Sequence, residues 1–364
     1  MTNFNSRDDR HILFVSSSLD GGGAERALSV LANEFYRMGY NVEFIVLHSK
    51  IVKYKLEAGI HLKFIEYTGG NRICKMISKL CLLRKEMKKS KSDTVIAFMY
   101  ETNLYALLAA VGLKKKVLVS ERNDPYQEPN SKIIRLVRDL SYQLADWLVC
   151  QTNDAKAYFN KRLQKKSSVI LNPLNLTINP YIGQRAKHIV TWCRLSEQKN
   201  IPLLLNAFHD FVQIHNDYDL NIYGEGHLLN TLVEMCGILG IGDKVSFKGF
   251  SNDIHNLVKD AAMFVLPSNY EGLSNSMLEA MALGIPTICT DCPIGGAKMM
   301  IEDGYNGMLV PLNDKEALVK SMRRIAEDSE FANTLSKNAV KIRAKLDVGI
   351  IAKQWEDLAN KLKV

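Results

Sequence analysis

Eleven short runs rich in β-branched and aromatic residues alternate with longer amphipathic runs, and this alternation constrains the fold more than any other feature. In the first half the runs are HILFVSS, NVEFIVL, HLKFIE, DTVIAF, KVLVS and WLVCQ. In the second they are HIVTWC, LNIYG, VSFKGF, MFVLPS and PTICTD. Strands that alternate with helices form parallel sheets with crossover helices. Two such series predict an α/β fold with two doubly wound, Rossmann-like domains. The 364-residue length also asks for two cores. Residues 171–188 carry Pro173 and Pro180 and no clear period, so the domains are expected to part there. The expected boundaries are 1–175, a linker at 176–187, 188–345, and a last helical segment at 346–364. Ligands of such sheets sit at the carboxyl ends of the strands, so the cleft between the two sheets is the expected site.

Charge is unevenly spread. Lys and Arg outnumber Asp and Glu by 28 to 17 over residues 1–180 and are outnumbered 22 to 19 beyond. The basic half is expected to meet something anionic. No apolar run approaches the ~20 residues that span a bilayer. The N-terminus MTNFNSRDDRHILFV lacks the apolar core of a signal peptide, so none is expected. The seven cysteines are scattered and odd in number, which suits a reducing cytoplasm.

Three motifs end strands and open helices. The first, SSSLDGGGAERAL, follows HILFV. Gly21, Gly22 and Gly23 let a ligand approach the backbone, and the helix start suits phosphate. It is not the G-x-G-x-x-G dinucleotide fingerprint, and no acidic residue follows in the matching place. The second, CRLSEQKN, follows HIVTW. Arg194 and Lys199 are five apart and can clamp a diphosphate, Arg as a fork and Lys as a point charge. The third, NYEGLSNSMLEA, follows MFVLPS. Backbone amides at its turn face outward, and Glu271 and Glu279 can accept hydrogen bonds from hydroxyl-rich groups on either side of a phosphate.

Together with the Gly224-Glu225-Gly226 turn and the FKGF strand, these motifs resemble the donor half of family 4 glycosyltransferases. The Asp20-to-Arg26 turn resembles the matching first-domain loop, and the similarity runs over nearly the whole chain. The resemblance implies a GT-B fold and a retaining transferase. Arg194 and Lys199 would bind the donor diphosphate, Glu279 the ribose and Glu271 the transferred sugar. Amides around Leu273, Ser274 and Asn275 would complete the phosphate site with Gly224, and Gly22 and Gly23 would close over it. The chemistry is expected to rest on Glu271, Arg194 and Lys199, with the leaving phosphate assisting the acceptor and no protein nucleophile. Neither a cofactor nor a metal is expected, since a UDP-sugar enters as substrate. Arg122, in SERNDP, stands where family members often carry a histidine, and is expected to meet an acceptor phosphate.

Residues 72–91 carry eight basic residues and one acidic residue, with Ile73, Met76, Ile77, Leu80 and Leu83 at helical spacing. A basic amphipathic helix reads as a membrane-surface element. It resembles the basic helix of family members that extend undecaprenyl-pyrophosphate-linked sugars, which implies that Arg72, Lys75 and Lys79 hold the acceptor's pyrophosphate. Residues 131–148 are a second candidate for the lipid-facing side. Asp217-Tyr218-Asp219 precedes a strand and reads as a turn, not as a metal site. Cys289 and Cys292 lack a second pair for zinc.

The expected activity is transfer of a sugar to a lipid-linked glycan at the inner face of the cytoplasmic membrane, in polysaccharide, O-antigen or glycoprotein assembly. The resemblance favours UDP-N-acetylgalactosamine as donor, with other UDP-sugars and GDP-mannose open. The rivals are an NAD-dependent oxidoreductase or epimerase and a silent binding module. No nucleic-acid partner is expected, because aromatics do not interleave with the cations.

Overall fold

The computed structural model describes residues 10–67, 70–174 and 179–362. The chain divides into two compact units, Met1–Asn175 with Leu346–Val364, and Leu176–Lys345. Part of the expected linker, residues 176–178, lies outside the described residues, as do residues 1–9 and 363–364 of the expected first domain and last helix.

Among the described residues the first unit holds seven parallel strands: β1 His11–Ser16, β2 Asn41–Val46, β3 His61–Phe64, β4 Thr94–Phe98, β5 Lys116–Ser120, β6 Trp147–Cys150 and β7 Ser167–Val169. Their order is β3-β2-β1-β4-β5-β6-β7. The second unit holds six: β8 Ala186–Trp192, β9 Asp219–Tyr223, β10 Val245–Gly249, β11 Ala261–Leu266, β12 Thr287–Thr290 and β13 Met308–Val310, in the order β10-β9-β8-β11-β12-β13. Both are doubly wound parallel α/β sheets, the fold class that the alternation predicts. Central strands covered on both faces read as continuous apolar runs, and every residue of β4 and β11 is buried.

Chain order reverses between β1 and β4 in one sheet and between β8 and β11 in the other. Ligand crevices open at such reversals, outside the carboxyl ends of the strands. The glycine turn follows β1, the Arg194–Lys199 loop follows β8 and the Glu271 loop follows β11. All three motifs therefore sit at the reversal of their own sheet.

The structure differs from the sequence reading in three places. Strands β7 and β13 have three residues each, too few to show a period, and β13 lies where only helices were expected. Ala186 and Lys187, read as linker, are the first residues of β8. Within the lipid-facing candidate 131–148, Lys132–Ser141 is helical, Tyr142–Leu144 is a 3-10 turn, and Trp147 opens β6, the strand expected at WLVCQ.

The last helix, Val348–Lys361, packs against the helix Gly23–Arg37 in the first unit. Ile351, Ala352, Trp355 and Leu358 join the core formed by Ile12, Phe14 and Phe98. The Trp355 ring lies 5.5 Å from that of Phe98. Buried Glu356 accepts from Tyr40 at 2.8 Å and pairs with Arg10 and Lys353. Truncating a buried Trp removes its transfer energy and leaves a cavity. Trp355→Ala should therefore destabilise the first unit by about 3–5 kcal/mol, read as a lowered urea midpoint by circular dichroism.

Candidate active site

Two loops of the second unit form the nucleus of the site. After β8 the chain turns through Cys193–Ser196 into a 3-10 turn at Glu197–Lys199. Asn200 then takes a left-handed conformation (φ 49°), which starts the helix Ile201–Val212. After β11, residues 267–274 lead into the helix Asn275–Ala282. Backbone and amide bonds stitch these loops together. Asn269 N–H donates to Gln198 O (2.8 Å), its side chain to Glu197 O (2.8 Å), and Gln198 donates back to Tyr270 O (3.0 Å).

On this frame Lys199 Nζ donates to Glu271 Oε1, which also accepts from Ser268 Oγ at 2.8 Å. Both side chains of the pair are nearly buried, at 11% and 12% exposure. Removing one partner of a buried pair strands the other charge, at a cost of about 3–5 kcal/mol. A ligand that takes Lys199 must therefore offer something to Glu271 as well. Arg194 projects into solvent five residues earlier.

Glu279 is 3% exposed, one turn inside the helix. Its Oε2 accepts from Trp192 Nε1 at 3.3 Å and lies 3.0 Å from His255 Nε2. Trp192 ends β8, and His255 comes from the short helix Ile254–Val258 before β11. Three elements thus fix one carboxylate. Ser274 caps the helix by accepting from Met277 N–H, and Leu273 and Ser274 are buried. The sequence reading missed Trp192, His255 and Ser268 as partners of the two glutamates. Only Trp192 and Ser268, at strand ends beside the quoted motifs, left a signal there.

The glycines serve close approach of backbone to backbone. Gly224 has φ +126°, and a β-carbon on it would overlap the Cys193 carbonyl. One on Gly226 would overlap Leu195 O, and one on Gly296 would overlap Gly272 O. Glu271 N–H donates to Pro293 O (3.1 Å), so the loop after β12 backs the glutamate loop. Burial pushes the Cys193 thiol up to about 11 and that of Cys292 to about 12. Both stay protonated at neutral pH, which leaves no thiolate nucleophile there.

In the first unit the glycine turn is already occupied. Gly22 is the N-cap of the helix Gly23–Arg37, and its N–H donates to the carboxylate of Glu25, which also accepts from Ser18. Only at Gly21 (φ +135°) does the backbone require glycine for its conformation. An incoming phosphate would have to displace Glu25 from Gly22.

Arg122 stands at the carboxyl end of β5 and is buried rather than presented on a surface. Its guanidinium lies 4.2 Å over the Phe98 ring and donates to Ser120 Oγ (3.3 Å) and Asn172 Oδ1. Among the described residues Nε finds no hydrogen-bond partner. Desolvation lowers Arg122 to about 9, so it stays a cation at neutral pH. Arg72, Lys75 and Lys79 share one face of the helix Arg72–Lys89. Arg72 and Lys75 are exposed, and Lys79 lies 4.8 Å from the Tyr67 ring. The structure thus gathers Lys199, Glu271 and Glu279 on the second unit and sets the three helix cations and Arg122 apart on the first. Asp217 pairs with Lys187 at the amino end of β8 and β9, away from the motifs. Among the described residues no three His, Cys, Asp or Glu converge in a metal-binding group.

Residues 21–178 match the family described as Glycosyltransferase Family 4, and residues 182–342 match Glycosyl transferases group 1. Among curated relatives, the chain is 31% identical to the GalNAc-α-(1→4)-GalNAc-α-(1→3)-diNAcBac-PP-undecaprenol α-1,4-N-acetyl-D-galactosaminyltransferase of Campylobacter jejuni, over 97% of this chain and 99% of the relative. It is 27% identical to the N-acetylgalactosamine-N,N'-diacetylbacillosaminyl-diphospho-undecaprenol 4-α-N-acetylgalactosaminyltransferase of the same organism, over 90% and 93%. Among solved structures, Anabaena HepE in complex with UDP and glucose superposes with a TM-score of 0.81 at 18% identity, over 95% and 98% of the two chains. The fold is GT-B.

The glycine contacts give a direct contrast. Gly224→Ala, at a positive φ and against backbone, should destabilise the second unit by more than ~1 kcal/mol. Gly237→Ala, in the helix Leu229–Ile238 with open space around it, should stabilise by about 0.5–1 kcal/mol. Melting temperatures that move in opposite directions would bear this out.

Proposed function

The chain belongs to glycosyltransferase family 4, and from that membership we propose that it moves N-acetylgalactosamine, with retention, from UDP-N-acetylgalactosamine to an undecaprenyl-pyrophosphate-linked glycan. The enzyme class, a hexosyl or N-acetylhexosaminyl transferase, follows from the family and its relatives. The sugar and the acceptor rest on the names of the two Campylobacter relatives, and the nucleotide on the UDP in the structural neighbour. Other UDP-sugars and GDP-mannose are the alternatives. The setting would be bacterial polysaccharide, O-antigen or glycoprotein glycan assembly at the inner face of the cytoplasmic membrane.

The observation that carries the reading is the arrangement of Lys199, Glu271 and Glu279 around one helix start. In the proposed complex Lys199 and exposed Arg194 take the diphosphate, with amides at residues 273–275. Glu279, already oriented by Trp192 and His255, takes the ribose hydroxyls. Glu271, released by Lys199, accepts from a sugar hydroxyl. The developing charge on the leaving diphosphate is then met by fixed cations and dipoles, without a metal. One such donor contributes about 10²–10³ in rate. Glu271 is engaged by Lys199 and Ser268, which suits a binding carboxylate better than a nucleophile. The acceptor attacks on the face that the diphosphate leaves, and a phosphate oxygen takes its proton.

For the acceptor, Arg72, Lys75 and Lys79 form a cationic stripe fit for a lipid pyrophosphate or an anionic membrane surface. Arg122, buried on Phe98, joins them only if the acceptor reaches the carboxyl end of β5.

Thermal stability with UDP, GDP and NAD tests the donor half. UDP at about 100 times its dissociation constant should add ~2.7 kcal/mol, with a much smaller gain in Glu279→Ala. A shift with NAD, or none with any nucleotide, would sink the reading. Incubation with UDP-N-acetylgalactosamine and an undecaprenyl-pyrophosphate-linked oligosaccharide should give an α-linked product by NMR. A β-linked product would exclude retention.

A further inference from the structure

The helix Lys132–Ser141 and the turn after it wear their polarity inside out. Ile133, Ile134, Leu136, Val137, Leu140 and Leu144 all face solvent, with Ile133 at 75%, Leu140 at 63% and Leu136 at 59% exposure. Arg138, among them in sequence, is 1% exposed. It donates to Glu128 O (2.6 Å), Pro125 O (3.0 Å) and Asp139 (2.9 Å), and lies 3.8 Å from buried Glu121. Rolling the helix to bury its aliphatic side would pull these partners apart and strand buried charges. The apolar face is therefore fixed outward. Contiguous apolar surface of this kind marks an interaction site in a folded protein.

Charge identifies the occupant. The helix Tyr100–Ala110 packs between Lys132–Ser141 and Arg72–Lys89. The start of Arg72–Lys89 also exposes Ile73, Met76 and Ile77 among Arg72, Lys75 and Lys79. Across residues 72–89 and 132–144 the carboxylates are Glu86 and Asp139. Glu86 is neutralised by Lys63 (3.0 Å) and Lys89 (2.9 Å), and Asp139 by Arg138 and the Tyr158 hydroxyl (2.8 Å). An apolar face beside uncompensated cations matches an anionic bilayer, where aliphatic side chains enter the headgroup boundary and cations meet phosphates. A second copy would set like charges against each other.

We propose that residues 132–144 are an interfacial membrane-docking element, inserted through these six aliphatic side chains and locked in orientation by Arg138. Choosing a bilayer over a second copy draws on the lipid-linked-acceptor reading above, and the vesicle test below does not depend on it.

Flotation with vesicles of phosphatidylcholine and phosphatidylglycerol, free of any glycan lipid, tests the proposal. The unsubstituted protein should float, and some binding should survive high salt. Leu136→Glu/Leu140→Glu, at exposed positions, should keep its circular dichroism melt and lose binding by more than about tenfold. Arg72→Glu/Lys75→Glu should lose only the salt-sensitive part. Leu140→Trp should blue-shift on vesicles and be quenched by brominated lipids. Unchanged flotation of the double leucine variant would overturn the proposal. So would a lipid-free dimer that the same variant dissolves, which would give the face to a second copy. Leucine-dependent flotation in a protein that transfers sugar to no lipid-linked glycan would uphold docking and overturn only the acceptor reading.

Discussion

The ion pair between Lys199 and Glu271 holds the candidate site together. It joins the loop after β8 to the loop after β11, the two strands at which the chain order of the second sheet reverses. Neither group is fully solvated, so each needs the other or a partner that replaces it. Ser268 steadies the carboxylate, and Gln198 and Asn269 hold the loops in register. Behind this surface the glycines at 224, 226 and 296 let backbone lie on backbone. The result is a preorganised cation, two oriented carboxylates and a helix start within one sheet edge. Such preorganisation is what stabilising a leaving diphosphate demands.

The first unit is built on a different polar principle. At the carboxyl end of β5, Glu121 points toward Tyr142 and Arg138, while Arg122 points toward Phe98 and Asn172. Alternation along the chain sends the two charges to opposite sides. Burial raises the Glu121 carboxyl, against the pull of Arg138. One buried network therefore reaches both the ligand edge of the sheet and the helix whose aliphatic face is turned outward.

Much of the architecture was legible because parallel strands covered on both faces leave continuous apolar runs, as in TVIAF and AAMFVL. The three-residue strands β7 and β13 were not, since a period cannot show in three residues. The Lys199 and Glu271 motifs were legible as strand-end loops. Their pairing was not, because they stand 72 positions apart and meet only through the sheet. His255 gave no local sign of meeting Glu279. Residues 131–148 were named only as a stretch that could face lipid, and the sequence does not say which face of the helix Lys132–Ser141 is buried. Arg138 decides that through Glu121, Pro125 and Glu128. The glycine turn reads as open for phosphate in sequence, yet Glu25 already caps Gly22.

The central claim is that the donor exchanges one set of partners for another: the diphosphate takes Lys199, and a sugar hydroxyl takes Glu271. Calorimetric titration of UDP and of UDP-N-acetylgalactosamine into the protein and into Glu271→Gln tests it most directly. The account predicts that the substitution leaves UDP affinity equal or tighter, because Lys199 no longer has to abandon a buried carboxylate, and removes the extra affinity brought by the sugar. Equal losses for UDP and for the UDP-sugar would contradict it, because Glu271 would then support the nucleotide and not the sugar.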